Sequence, residues 1–427
     1  MRVGFHADGD SLHWNFILQE NDGVYTEKIS MVKKSFSIRL PEDIEIEKIH
    51  PDHLALITLL AVHPFVDQEI IIPLEVSERF SNSCKMISSY KVIFNSSNGD
   101  TYESGPDAIP GLAFSGGADS TASLLLMPKY THSVFLDRPL FINPLKRKSL
   151  YDKSAAYATI EHARHQGFKV DSIECDIEYM RKPLGFPTDL VPSIPLLAIA
   201  SQRNIDSIAF GTVMESAYRI GHEQARDYAD SSHYRFWGRM FKAAGLPLFL
   251  PVSGVSEVGT SKIVNMSSFK EYTRSCIRGI WPDSCENCWK CFRKNMINQK
   301  LQNIQLTDQF ISDGLRIKEV KLKLGTVPVS HENVLSWALD GNDGKLINLL
   351  KNRFEGVNRD LSFLEGFFPP AIDLMPLKYQ DGIRNRLEHY LFAIDEKYYP
   401  EIITHSMTEW KNRPSTKEAF AKFNQLF

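Results

Sequence analysis

One stretch constrains the fold of this chain more than any other: Gly111-Leu112-Ala113-Phe114-Ser115-Gly116-Gly117-Ala118-Asp119-Ser120-Thr121, followed by the apolar run Ala122 to Met127. Gly111 to Phe114 reads as a short buried strand, and Thr121 to Met127 as the first turns of a helix. The turn between them leaves backbone N–H groups unpaired at the helix start, beside the positive end of the helix dipole. That is an anion site. Glycine at 116 and 117 lets the backbone approach an oxyanion with no Cβ in the way. Ser115, Ser120 and Thr121 add O–H donors around Ala118, and Asp119 is placed to hold a magnesium ion on the same anion. The chemistry predicted from these residues is a phosphate cradle. It is neither a Walker loop, which needs a lysine in the turn, nor the G-x-G-x-x-G dinucleotide fingerprint.

A length of 427 residues predicts two or three domains, and 43% hydrophobic with 24% charged residues is a globular composition. The formal net charge of −3 supplies no overall basic field for nucleic acid. No apolar run reaches bilayer length, and Met1 to Asp8 lacks the apolar centre of a signal peptide, so a cytoplasmic protein with no membrane partner is expected. Six cysteines do not suggest a disulfide scaffold in so long a chain.

Residues 1–105 read as a β-rich domain, with strands at Leu12–Leu18, Lys34–Leu40, Glu69–Leu74 and Lys91–Phe94, a helix at Asp52–His63, and a turn at Ser96–Asp100. His50, His53, His63 and Cys84 match no metal set there. From residue 106 to 300 strands and helices alternate, the pattern of a parallel sheet covered on both faces, so the fold class is α/β. Strands are predicted at Ser133–Leu136, Phe168–Cys175, Ile205–Phe210 and Leu248–Val252, with helices at Ser154–Gln166, Ile194–Gln202 and from Thr260. Ligands in such sheets sit beyond the carboxyl ends of strands, which nominates Asp137 and the run Gly211 to Ser216, with Glu215, as neighbours of the cradle. Lys146, Arg147 and Lys148 form a short basic cluster. The polar and aromatic groups from Tyr218 through His222 and Tyr228 to Trp237 fit either a substrate pocket or an amphipathic helix. Residues 301–427 read as a helical domain that serves for packing or as a homodimer surface, with amphipathic stretches at Val334–Leu350 and Tyr379–Phe392.

Cys276, Cys285, Cys288 and Cys291 are spaced C-x8-C-x2-C-x2-C. Four soft anionic ligands at these intervals suit a closed, structural zinc tetrahedron better than an iron–sulfur cluster or a redox pair.

The string Ser115-Gly116-Gly117-Ala118-Asp119-Ser120 resembles the S-G-G-x-D-S signature of the PP-loop ATP pyrophosphatases, a superfamily with an adenine nucleotide alpha hydrolase-like fold. Together with the cysteine spacing, Thr260-Ser261-Lys262-Ile263-Val264 and Thr273-Arg274-Ser275-Cys276, residues 109 to 297 are similar to the 7-cyano-7-deazaguanine synthase family. The resemblance implies ATP, Mg²⁺ and Zn²⁺ as cofactors, adenylation of a small-molecule carboxylate with release of pyrophosphate, and ammonia or an amine as nucleophile. It implies that Ser115, Gly116, Gly117, Ala118, Asp119, Ser120, Thr121 and Gly211 hold the nucleotide, with Asp119 and Lys262 as catalytic groups. The family's substrate segment is not matched after Gly211, where the chain reads Thr212-Val213-Met214-Glu215-Ser216-Ala217-Tyr218. An N-terminal domain combined with a PP-loop and cysteines is also similar to the muropeptide glutamate epimerase family. A tRNA-thiolating enzyme using Cys84 or Cys175, and a zinc-knuckle nucleic-acid adaptor that only senses ATP, complete the set of readings.

Overall fold

The computed structural model describes residues 1–140 and 151–426, so Lys146, Arg147 and Lys148 lie outside the described residues. Thirteen strands are present: β1 (Arg2–Asp8), β2 (Ser11–Ile17), β3 (Val24–Thr26), β4 (Ile29–Met31), β5 (Ser35–Arg39), β6 (Glu69–Ser77), β7 (Lys91–Gly99), β8 (Ile109–Ala113), β9 (His132–Asp137), β10 (Lys169–Cys175), β11 (Arg181–Lys182), β12 (Ile205–Ala209) and β13 (Leu248–Phe249). Ten of them form one sheet in the order β13-β12-β8-β9-β10-β5-β2-β1-β6-β7. The strands β13, β12, β8, β9 and β10 run parallel, as the strand–helix alternation requires. β5 pairs antiparallel with β10 through Glu174↔Arg39 and Cys175↔Ile38, and this junction makes the β-rich segment and the parallel sheet one continuous surface.

The apolar pattern explains the layers. β8 and β9 are buried along almost their whole length, as strands covered on both faces must be. In β2 the burial alternates, with Leu12, Trp14 and Phe16 inward, as for a sheet with one wet face. The helix Pro51–Val62 is almost wholly buried, with Pro51 at its first position and His50 accepting the Asp52 N–H as its cap. Gly111 in β8 is a packing glycine: a Cβ there would lie 2.8 Å from Leu196 and 3.1 Å from Ile205.

Two expectations need correction. Ser96 to Gly99 continues β7 as strand rather than turning, because β6 pairs with it as far as Ser77↔Gly99. A Cβ on Gly99 would lie 2.7 Å from the Glu75 carbonyl, so glycine here serves close backbone approach. The stretch Val334–Leu350 is two helices, Glu332–Leu339 and Lys345–Lys351, separated at Gly341-Asn342-Asp343-Gly344. Beyond Leu301 the regular elements of the described residues are all helical. The helical tail folds back on the sheet region: Tyr379 stacks on Phe249 at 5.0 Å and donates its hydroxyl to Asp206 at 2.6 Å. Among the described residues no helix is long and apolar enough to cross a membrane.

Candidate functional site

β8 ends at Ala113, and the helix Ala118–Leu126 begins five residues later. Gly117 is its N-cap in extended conformation, with no side chain capping the first turn. Gly116 has φ +72°, where a side chain is strained, and a Cβ there would also meet the Ala156 backbone at 3.0 Å. Ser120 folds back and locks the turn. Its hydroxyl accepts the Ser115 N–H at 3.2 Å, donates to the Gly117 carbonyl at 3.1 Å and lies 3.0 Å from the Ser115 hydroxyl. Two predicted donors thus hold the loop's shape. The Thr121 hydroxyl is fully buried without a hydrogen-bond partner.

Gly211, at the end of β12, presses on this helix start. A Cβ would lie 2.7 Å from the Ser120 nitrogen and 2.8 Å from the Asp119 carbonyl carbon. Its role in the structure is close packing that fixes the first turn.

Two adjoining cavities open beside the turn. A small one of about 80 Å³ is lined by Ser115, Gly117, the β9 end at Leu136, Arg138 and Tyr151. A larger one of about 400 Å³ reaches from Ala118 to the helix Glu257–Asn265 and the cysteine segment. Arg274, Ser275, Cys276 and Lys290 line both.

The four cysteines meet as their spacing predicts, with sulfur atoms within 4.8 Å of one another. The loop is built for thiolates. Arg278 N–H and Cys285 N–H point at the Cys276 sulfur at 3.3 and 3.5 Å, and the Cys291 N–H points at Cys288 at 3.4 Å. Glu286 takes φ +49° between Cys285 and Cys288, and Gly279 lies so close to Asp283 and Cys285 that a Cβ would approach backbone to 2.5 Å. Four convergent sulfurs, with no fifth donor in the group among the described residues, can hold a zinc ion in a closed tetrahedron. The knuckle is tied to the turn directly: Ser275, one residue before the first cysteine, accepts the Ala118 N–H at 3.3 Å.

The sequence reasoning missed a buried cation beside the turn. Lys294, on the helix Trp289–Leu301 that Cys288 caps, is buried and places Nζ 3.4 Å from Asp119 Oδ1. The same Asp119 oxygen accepts the Thr260 hydroxyl at 2.8 Å. Behind Lys294, Glu257 takes a bidentate bond from Arg293 at 3.0 and 2.8 Å, and the Glu257 N–H donates to Glu215 at 3.0 Å. Burial pushes the Glu257 carboxyl up, but Lys294, Arg293 and His331 outweigh it and hold it well below the usual range. Burial and the Glu257 charge together push Glu215 up to about 8. For Lys294, burial is outweighed by Asp119 and Glu257, so it stays charged.

Lys262 stands apart from this cluster. Its ammonium pairs with Glu365 at 3.2 Å, half-exposed, and it lines neither cavity beside the turn. Its helix begins at Glu257 rather than Thr260, capped by Ser256, which turns Thr260 and Ser261 toward the turn instead. Asp137 pairs with Lys153 and accepts the Tyr157 hydroxyl at 2.8 Å, and it too is absent from both cavities. Tyr218, Tyr228 and Trp237 are buried in packing, the last on the helix Ser232–Ala243, and none of the three lines either cavity. Cys84 and Cys175 are buried, and burial pushes both thiols up, away from thiolate chemistry.

In comparisons with known proteins, a family described as of unknown function (DUF6395) matches residues 236–411, a range with all four cysteines that begins after the glycine turn. A search of curated proteins found no match.

Proposed function

We propose that the protein is a PP-loop ATP pyrophosphatase-type enzyme that adenylates the carboxylate of a small molecule and passes the acyl group to ammonia or an amine. One observation carries the reading: the S-G-G-x-D-S turn at 115–120 opens, at the carboxyl end of parallel strands, onto adjoining cavities whose shared wall bears Arg274 and Lys290. The first-turn N–H groups other than that of Ala118, which Ser275 accepts, would serve the β- and γ-phosphates of ATP, and Lys294 adds a desolvated positive charge beside Asp119. A carboxylate oxygen of the substrate attacks the α-phosphorus; the bond to the bridging oxygen breaks, and pyrophosphate leaves with the electron pair. The nitrogen nucleophile then attacks the acyl carbon, and AMP departs. Asp119 is the group that would hold Mg²⁺, which supplies charge neutralisation on the leaving pyrophosphate when bound. Cys276, Cys285, Cys288 and Cys291 would hold Zn²⁺ structurally, fixing Ser275 and the helix that carries Lys294.

Incubation with ATP, Mg²⁺ and a panel of carboxylic acids tests the reading. Acid-dependent AMP and pyrophosphate support it, and ADP with phosphate overturns it. Asp119→Asn lowers AMP formation by about 10²-fold or more if that carboxylate serves the leaving group.

A further inference from the structure

The 400 Å³ cavity has a wall unlike that of a site for a flat heterocycle. No aromatic ring lines it among the described residues; Ala118, Val264 and Pro282 are its apolar side chains outside the cysteines. Stacking surfaces for a fused ring system are missing, and those surfaces are where such ligands gain most of their affinity.

Its polar groups are numerous and partly unspent. Arg274 is fixed by carbonyls, donating Nε to Pro282 at 2.9 Å and Nη1 to Thr273 at 3.0 Å, yet no carboxylate is paired with it. A guanidinium held this way has a donor left for a ligand oxyanion. Among the described residues Lys270 and Lys290 have no side-chain partner, and Asn265 Nδ2 and Thr273 Oγ1 are buried atoms without hydrogen bonds on the same wall. Three acids line the cavity beside these cations, Glu271, Asp283 and Glu286, and Glu286 is held by Asn295. Unmatched buried donors are costly, and a hydrogen-bonding ligand relieves that cost.

We propose that this cavity seats the acid to be activated, and that the acid is a small hydrophilic one bearing a second anionic group, carboxylate or phosphate, rather than a planar heteroaromatic. The reacting carboxylate lies toward Ala118 and Lys294, and the second anion toward Arg274, Lys270, Asn265 and Thr273. This assignment rests on the adenylation reading for the role of the acid, while its binding is separately measurable.

The test has two arms. Saturation-transfer NMR without nucleotide compares L-glutamate, citrate and 3-phosphoglycerate with indole-3-carboxylate and 7-carboxy-7-deazaguanine; the second arm measures acid-dependent AMP release for the same compounds. Acids with two anionic groups are expected to bind at least tenfold more tightly, and the carboxylate and phosphate members separate the two sources of the second charge. Lys270→Gln and Asn265→Ala are expected to raise KM for the acid at least tenfold while the Kd for ATP, read with a fluorescent analogue, moves less than twofold. Preference for the heteroaromatic acids overturns the assignment, as does a parallel rise in the ATP Kd, or binding of single-stranded RNA with no small acid bound. If no acid elicits AMP but polyanionic acids bind in a manner lost in both variants, the cavity assignment stands and the adenylation reading falls.

Discussion

The glycine turn and the cysteine knuckle were both legible as motifs, yet they are held in opposite ways. The knuckle is self-contained: four sulfurs converge within 4.8 Å from a span of sixteen residues, positions 276–291, and backbone N–H groups point at them. The turn has almost nothing of its own beyond the Ser115–Ser120 pair. Its shape depends on Gly211 pressing on the helix start, on Ala156 behind Gly116, and on Ser275 accepting the Ala118 N–H. With so few contacts of its own, the turn takes its rigidity from distant chain, at the cost of the Ala118 N–H. The structure has the turn borrow part of it from the knuckle.

The largest expected effect probes that loan. Cys288→Ser with Cys291→Ser should take bound zinc from one equivalent to none by elemental analysis. It should also cost about 4 kcal/mol or more in unfolding experiments. If ATP binding survives the loss of metal, the turn does not depend on the knuckle. Next comes Lys294, which lies between the two: Lys294→Met leaves Asp119 and Glu257 short of a buried partner and should cost about 3 kcal/mol in denaturant unfolding. An unchanged midpoint would mean that the turn and the helix after the knuckle are not coupled through this ammonium.

The pH dependence sharpens the same comparison from behind the network. Glu215 has its carboxyl raised from 4.5 to about 8, so its contribution to stability is complete below pH 4.5 and is lost as pH rises through 8. Between pH 5 and 8 the parent should lose on the order of 3 kcal/mol that Glu215→Gln does not lose, read as diverging chemical-denaturation midpoints. Parallel midpoints across that range would remove Glu215 from the network. The smallest effect belongs to Lys262, outside both regions: Lys262→Met should cost less than about 1 kcal/mol, the ordinary worth of a half-exposed ion pair. A 100-fold fall in AMP formation there would return Lys262 to the catalytic role its helix position suggested.

What could be read in advance follows from range along the chain. The turn and the knuckle are local patterns, so glycine positions and cysteine intervals revealed them, and the buried parallel strands announced themselves as apolar runs. Lys294 could not be found this way, because 175 residues separate it from Asp119 and only the fold brings them together. Its sole local signal was a lysine three residues past the last cysteine, on a helix whose other face is apolar. β1 was missed for a different reason: Arg2, His6 and Asp8 dilute its pattern, and pairing with β2 over seven residues supplies what its own sequence lacks. Asn98-Gly99 misled because a turn dipeptide served a strand that needed room for a neighbouring carbonyl.

The seam at Glu174↔Arg39 and Cys175↔Ile38 has a practical consequence. Severing the chain near residue 105 to isolate the half that carries the glycine turn would strip β10 of its outer neighbour and bare a row of amide and carbonyl groups with Cys175 among them. Such a fragment is expected to stick to itself through that raw margin, whatever the integrity of its glycine turn.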